Sequence, residues 1–206
     1  MQPEDTSNIG VGPHAKPWPT DKKYDPVLLE YGDTRNVLDK YRYWKNEAIV
    51  VDLDKHRSPL HIAIENWQHD FNIGTIVRNA NAFNVAAVHI IGKRQWNKRG
   101  AMVTNRYLHV LHHPTVADFV AAMNKEDREI IAVDNLTGAR QLSKTALPRH
   151  CVLVFGGEGP GMSQELARAA SRMVAIEQFG STRSVNVGVA SGIVMYTWMQ
   201  QHILGK

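Results

Sequence analysis

The 206-residue chain has a single cysteine, Cys151. No internal disulfide can form, which fits a reducing, cytoplasmic setting. A lone cysteine without a CxxC partner is no zinc site. At the head of the apolar stretch CVLVF it reads as a small buried hydrophobe. There is no HExxH and no Cys/His cluster, and the adjacent pair His112 and His113 would point to opposite faces of a strand. No metal is expected. No apolar run reaches membrane-spanning length, which argues against a membrane role. The first residues, MQPEDTSNIGVGPHAKPWP, lack the basic start and apolar run of a signal peptide. Charge is nearly balanced, with 24 Lys and Arg against 20 Asp and Glu, a net of +4. That permits a polyanionic partner without demanding one. With 43% apolar and 21% charged residues the chain reads as soluble and globular, long enough for one domain plus an extension.

Residues 1 to about 33 hold many Pro, Gly, Asp and Thr and show no sustained period, so they read as a mobile or surface-draped arm. Residues 34–47, TRNVLDKYRYWKNE, interleave basic and aromatic side chains and suggest a short helix, docked by its aromatics or stacking on RNA bases. From about 59, Val- and Ile-rich strands alternate with helices. Strands are expected at 60–66, 86–92, 107–113, 129–135, 151–157 and 173–178. Helices are expected at 73–83, 115–125, 163–171 and 185–203, with Thr115, Ser163 and Ser184 as caps. The pattern predicts an α/β fold with a mostly parallel sheet covered by helices on both faces. The division is an extension, 1–58, and a main domain, 59–206. Ligands of such sheets bind beyond the carboxyl ends of the strands, here the loops after 66, 135, 157 and 178.

Three motifs stand at such positions. In FNIGTIVRNANAF, Ile73, Ile76, Val77 and Ala80 form one apolar stripe. Gly74 would allow a tight turn after the strand, leaving Asn72 and Arg78 to look into a crevice. A plain helix start with a solvated Arg is the blander alternative. In LVFGGEGPGMS a buried strand runs into four glycines. The ending Gly161-Met162-Ser163 is not the Gly-Lys-Ser/Thr of a Walker loop, and the glycine spacing does not fit GxGxxG. A loop lying against an uncharged ligand face fits better. In RSVNVGVASGIVMYTW, Ser184 would cap a helix, with Asn186 in its first turn. The small residues Gly188, Ala190, Ser191 and Gly192 suit a tight helix contact or a subunit interface. A fourth feature is the loop GKRQWNKRGAMVTNRY, where Lys93, Arg94, Lys98, Arg99 and Arg106 surround Trp96 with no acid. This is the better polyanion patch.

The three motifs, in this order and spacing, resemble the SpoU/TrmH family of SPOUT RNA methyltransferases. NIGTIVR is similar to its first motif, LVFGGEGPGMS to its second, and SVNVGVASGI to its third, over residues 60 to 204. The resemblance implies a C-terminal deep trefoil knot, a homodimer, S-adenosylmethionine as methyl donor, and 2′-O-methylation of a ribose in tRNA or rRNA, with tRNA favoured. By motif position the donor would be held at Gly156, Gly157, Ile176, Gln178 and Val185. Arg78 would be the central catalytic residue, oriented with the ribose by Asn72, Glu158, Ser184 and Asn186. RNA contacts would come from Arg78, Lys93, Arg94, Lys98, Arg99 and Arg183. Val185 and Gly188 depart from the family's usual Leu and Ser, and IEQFG lacks its common Ile-Pro-Met. Two competing readings are a catalytically dead RNA-binding protein on the same fold, opposed by the intact motif polar residues, and a nicotinamide-dependent oxidoreductase, opposed by the missing GxGxxG.

Overall fold

The structure is a computed structural model, described here for residues 10–68, 71–157, 161–182 and 184–205. The chain separates into two compact units, Met1–Lys55 and His56–Lys206.

Among its described residues the first unit holds two α-helices, α1 (Pro26–Tyr31) and α2 (Asn46–Asp54). Asp25 caps α1 by accepting from the Val27 N–H at 2.9 Å, with Pro26 at the first helical position. The helix expected across 34–47 does not form, apart from one 3₁₀ turn at Asp39–Tyr41. The chain wraps Asp33 instead. This fully buried carboxylate pairs with Arg35 at 2.7 Å and accepts from the Arg35 and Tyr43 backbone N–H groups. Burial pushes the Asp33 carboxyl up, but these bonds outweigh it and hold it below its ordinary value. Arg35 also reaches the Trp44 carbonyl at 2.8 Å, and Tyr43 takes a left-handed φ of 63°. A buried ion pair therefore overrides helix propensity. Tyr41 is buried edge-on to Trp44, so it is not free to stack on a base. The stretch from Gly10 to Asp33 is tied down as well: Val11 and Asp33 form an antiparallel bridge.

The second unit runs β1 (Ser58–Asn66), α3 (Asn72–Ala82), β2 (Val85–Gly92), β3 (Val110–His113), α4 (Val116–Lys125), β4 (Glu129–Val133), β5 (Arg140–Gln141), β6 (Cys151–Phe155), α5 (Gln164–Ala169), β7 (Arg172–Ala175) and α6 (Val187–Met199). All strand pairs are parallel, in the order β3-β2-β1-β6-β4-β7-β5. The chain builds outward from β1 to β3, crosses to β4, then returns to lay β6 between β1 and β4. The two-residue β5 carries no apolar run and was not foreseen. On one face of the sheet Ile62, Ile64, Leu153 and Phe155 pack against α3 and α6. On the other, Ala63, Ile91, Val152 and Val154 pack against α4 and α5. Strands buried on both faces explain the unbroken apolar runs. Thr115 and Ser163 cap α4 and α5 as expected. The last helix is α-helical only to Met199 and continues as a π-turn to Leu204. There Trp198, Gln201 and His202 bond the carbonyls of Pro148, Thr145 and Leu147. Cys151 is buried, and burial raises its thiol to about 12, as befits a core residue.

The α4 face carries a feature that periodicity did not show. His61, His89 and His113, on β1, β2 and β3, form a stacked ladder. His61 Nδ1 meets His89 Nε2 at 2.9 Å, and His89 Nδ1 meets His113 Nε2 at 2.8 Å. Phe119 of α4 lies edge-on to the last two rings. Each N···N bond needs one N–H and one lone pair, so two adjacent rings of the ladder cannot both be charged. Burial drives His61 and His89 down to about 3, helped by Arg128 for His61 and by its ring neighbours for His89. Burial also lowers His113, where His112 acts in the same sense and Asp118 and Glu126 oppose. Glu126, 3.9 Å from His61, does not reverse the outcome. Among the described residues no group of side chains could hold a metal ion. The folded state excludes protons that the unfolded histidines bind below their ordinary value of 6.5. Stability is therefore full above that pH and falls as pH drops toward 3, by up to about 1.4 kcal/mol per pH unit for each ring. Urea unfolding across this window should show the slope, and His89→Leu should lower stability at neutral pH and flatten it.

Candidate active site

A cleft of about 190 Å³ opens beyond the carboxyl ends of β4, β6 and β7. Its floor is Val133, Phe155 and Ala175, and its far wall is the entry to α6, with Ser184, Val185, Val187 and Ala190. Gly157, Ile176, Gln178 and Val185, four of the five expected donor contacts, line it. Asp134 and Asn135 line it too. They follow β4, one of the strand ends singled out from the sequence, but no motif marked them.

The glycine loop is folded on itself. Gly157 and Gly161 form an antiparallel bridge, with the Gly161 N–H donating to the Gly157 carbonyl at 3.0 Å. Gly161 is left-handed, at φ 71°. A Cβ on Gly156 would lie 2.3 Å from the Met162 nitrogen, so this glycine exists for backbone crossing and does not line the cleft. Two carboxylates hold the loop. Asp134 accepts from the Met162 N–H at 3.4 Å. Glu65, buried at the end of β1, accepts from the Ser163 N–H at 2.8 Å and from the Trp67 indole at 3.0 Å. Sequence reasoning missed Glu65 because a lone acid in an apolar strand has no motif. Glu158 and Arg183 lie outside the described residues.

The first and third motifs meet directly. Asn186 Nδ2 donates to Asn72 Oδ1 at 3.0 Å. Asn186, not Ser184, caps α6, its Oδ1 accepting from the Val189 N–H at 3.2 Å. Ser184 and Val185, two and one residues earlier in the chain, lie outside the helix and line the cleft. The small residues of α6 serve the contact with α3. A Cβ on Gly188 would stand 2.8 Å from Thr75 Cγ2, and one on Gly192 3.3 Å from Asn79 Nδ2. Asn79 Nδ2 bonds the Gly188 carbonyl at 2.9 Å and Ser191 Oγ at 3.0 Å. Gly74 is not a turn residue. It sits inside α3, where a Cβ would lie 2.7 Å from the Ala101 nitrogen and 2.8 Å from Gly100 Cα. Arg78 is exposed on α3, without an acid partner among the described residues, and it is not part of the cleft wall. The cleft and the α3–α6 junction thus bring Asn72, Asn186, Ser184 and the donor-loop residues together, with Arg78 on the helix that leads away from them.

The basic loop that follows β2 is anchored by Asn66, whose Nδ2 bonds the carbonyls of Lys93 at 2.6 Å and Gln95 at 2.8 Å. Lys93, Arg94, Lys98 and Arg99 are all exposed.

The sequence matches the SpoU rRNA Methylase family over residues 59–196. The chain belongs to this family. Among curated proteins, this SpoU-family chain is 29% identical over 161 residues to the tRNA (guanosine(18)-2′-O)-methyltransferase of Escherichia coli strain K12, covering 75% of this chain and 69% of the relative. Among solved structures, it matches the A. aeolicus TrmH/SpoU tRNA modifying enzyme with a TM-score of 0.68 at 21% identity, over 78% of this chain and 83% of that one. It also matches an AdoMet-bound rRNA methyltransferase from Sinorhizobium meliloti with a TM-score of 0.65 at 22% identity, over 75% of this chain and 60% of that one. These structures establish the fold.

Glu65 ties the end of the glycine loop and the Trp67 indole to one buried carboxylate. Replacing it with Ala leaves the Ser163 N–H and the Trp67 indole without their acceptor. Glu65→Ala should cost about 2–4 kcal/mol in urea unfolding. Glu65→Gln, which retains one acceptor oxygen, should cost less.

Proposed function

We propose that the chain transfers a methyl group from S-adenosylmethionine to a ribose 2′-hydroxyl of RNA, in tRNA rather than rRNA. The observation that carries this is the Asn72–Asn186 bond, which joins two family motifs beside a cleft lined by the glycine loop. The tRNA preference rests on the E. coli relative, whose name gives a tRNA substrate.

The cleft suits the donor. Phe155, Ile176, Val185 and Val187 offer an apolar lining for an adenine, while Gly157 and Gly161 leave backbone accessible. The Asp134 carboxylate matches a cationic ligand. When bound, S-adenosylmethionine supplies an electrophilic methyl. The chain's task is then to hold the 2′-hydroxyl in line with it, which reduces the barrier through proximity. Arg78 is permanently charged, so it is a poor base. Its role in this reading is to bind the RNA phosphate and stabilise the alkoxide that develops on the ribose oxygen. The proton leaves to a phosphate oxygen or to water. Asn72, Ser184 and Asn186 orient the ribose, and Glu158 belongs with them by motif position.

We further infer that the segment from β6 to α6 is threaded as a trefoil knot, a reading supported by the family membership and by the late insertion of β6 between β1 and β4. A homodimer is part of the same reading. Val189, Ile193 and Tyr196 are 54%, 40% and 48% exposed along one side of α6, an apolar stripe that a second copy would cover. Among the described residues no helix is long and apolar enough to cross a membrane.

The test is transfer of labelled methyl from S-adenosylmethionine to separate unmodified tRNA and rRNA pools. The tRNA pool should be labelled. Arg78→Ala should reduce turnover by about a hundredfold or more while donor binding persists. Near-normal turnover in Arg78→Lys would remove Arg78 from its assigned role, and absence of donor binding in the wild type would sink the methyltransferase reading.

A further inference from the structure

A second cavity, of about 450 Å³, lies beside the edge strand β3, on the α3 face of the sheet. That volume is within the range of small-ligand sites, about 300–1,000 Å³. Ile90 and Val110 form its apolar floor. Half-buried Trp96 forms a wall, seated on the core by its inner side. Arg94 and Lys98 stand at the rim, with Lys98 Nζ 5.9 Å from the Trp96 ring centroid. Neither cation has an acid partner among the described residues. Asn105 and His112 supply polar edges. His112 Nε2 is engaged by the Gly92 carbonyl at 2.8 Å, which leaves Nδ1 as the acceptor of the neutral ring.

An aromatic wall, two cations without acid partners among the described residues, a side-chain amide and an imidazole match one ligand class. Aromatic rings take an unstacked base, and cations take its phosphate. An acidic peptide would use the cations but leave the aromatic wall and the amide idle.

The loop is also held in a conformation that its residues do not favour. Met102 and Val103 are consecutive non-glycine residues at φ 47° and 68°, and Val is β-branched. They are 62% and 50% exposed, so burial of their side chains does not account for the geometry. Gly100 and Ala101, seated against Gly74 on α3, fix the preceding turn. Asn66 pins the backbone on either side of Arg94. Strain maintained by packing at an exposed cationic loop is a mark of a functional surface.

We infer that this cavity is a nucleotide subsite. It takes one unstacked nucleotide of the RNA, its base against Trp96 and its phosphate on Arg94 and Lys98. The inference rests on the proposed action on RNA and adds a point where a flanking nucleotide is gripped away from the donor cleft.

The experiment measures fluorescence anisotropy of a short 5′-fluorescein-labelled single-stranded RNA of mixed sequence, with the full chain. Trp96→Leu, which retains apolar contact with the core, should weaken binding about fivefold or more. Arg94→Ala with Lys98→Ala should reduce the slope of log affinity against log salt by about 1.4, the value for two phosphate contacts on a single strand. S-adenosylmethionine binding by calorimetry should be unchanged in both. If Trp96→Leu fails to fold, photo-crosslinking of 4-thiouridine RNA to the wild type decides, with adducts expected within residues 94–112 and adducts confined elsewhere overturning the subsite. Methyl transfer by the wild type together with unaltered RNA affinity in Trp96→Leu would overturn the subsite and leave the proposed reaction standing. Failure of the wild type to bind any RNA, with the donor bound, would overturn both.

Discussion

Backbone-to-backbone closeness around α3 is the constraint on which the rest of the site depends. Three segments converge on this helix, two of them far away in sequence, the entry to α6 and the loop after β2, and one, the end of β1, just before it in the chain. At two of these contacts a single Cβ would already be too much. Gly74 faces Gly100 and Ala101, and Gly188 faces Thr75, at distances no side chain can occupy. Once the backbones are this close, the polar groups on them must be paired. Asn79 does this for the Gly188 carbonyl, and Asn186 does it for the Val189 N–H while reaching Asn72. The motif residues are thus first the means of satisfying a close helix crossing, and the ligand wall follows from that crossing.

The same arrangement separates charge. The donor cleft has Asp134 as its only carboxylate among the described lining residues and no cation. The loop after β2 has cations and no acid. Under the proposed function, a cationic donor and a polyanionic acceptor would thereby be drawn to different places, the donor to the cleft and the RNA by long-range steering to the loop.

Much of the fold was legible in local apolar patterns. The strands expected at 60–66, 86–92 and 151–157 lie at Ser58–Asn66, Val85–Gly92 and Cys151–Phe155, marked by unbroken apolar runs, and the stripe Ile73, Ile76, Val77 and Ala80 is buried on α3 as its helical period implies. What was not legible depended on pairings between distant residues. Nothing local says that Asp33 will be buried and will cancel a helix at 34–47, or that three histidines on three strands will share protons. Gly74, expected to turn the chain after the strand, is a contact point inside a helix. Gly156 stands against the backbone of its own loop. A glycine reports that something is near, and only the tertiary structure says what. The cap of α6 was placed two residues early because Ser184 and Asn186 are both good caps, and the bond to Asn72 decides between them.

The distribution of titratable groups bears on how such a site would work. The described residues around the Asn72–Asn186 junction are amides, a hydroxyl and backbone. Arg78 is a permanent cation. The chain's most strongly perturbed histidines lie on the opposite face of the sheet, under α4, where they serve the fold. Under the proposed function these described residues would act by position and fixed charge, since amides, a hydroxyl and a permanent cation are poor general bases. That is a workable division for methyl transfer, since the methyl donor already carries the activation and the remaining difficulty is to align a weak nucleophile. It also explains why the structure is so demanding about backbone closeness, because catalysis by alignment has no tolerance for a wall that shifts by the width of a methyl group.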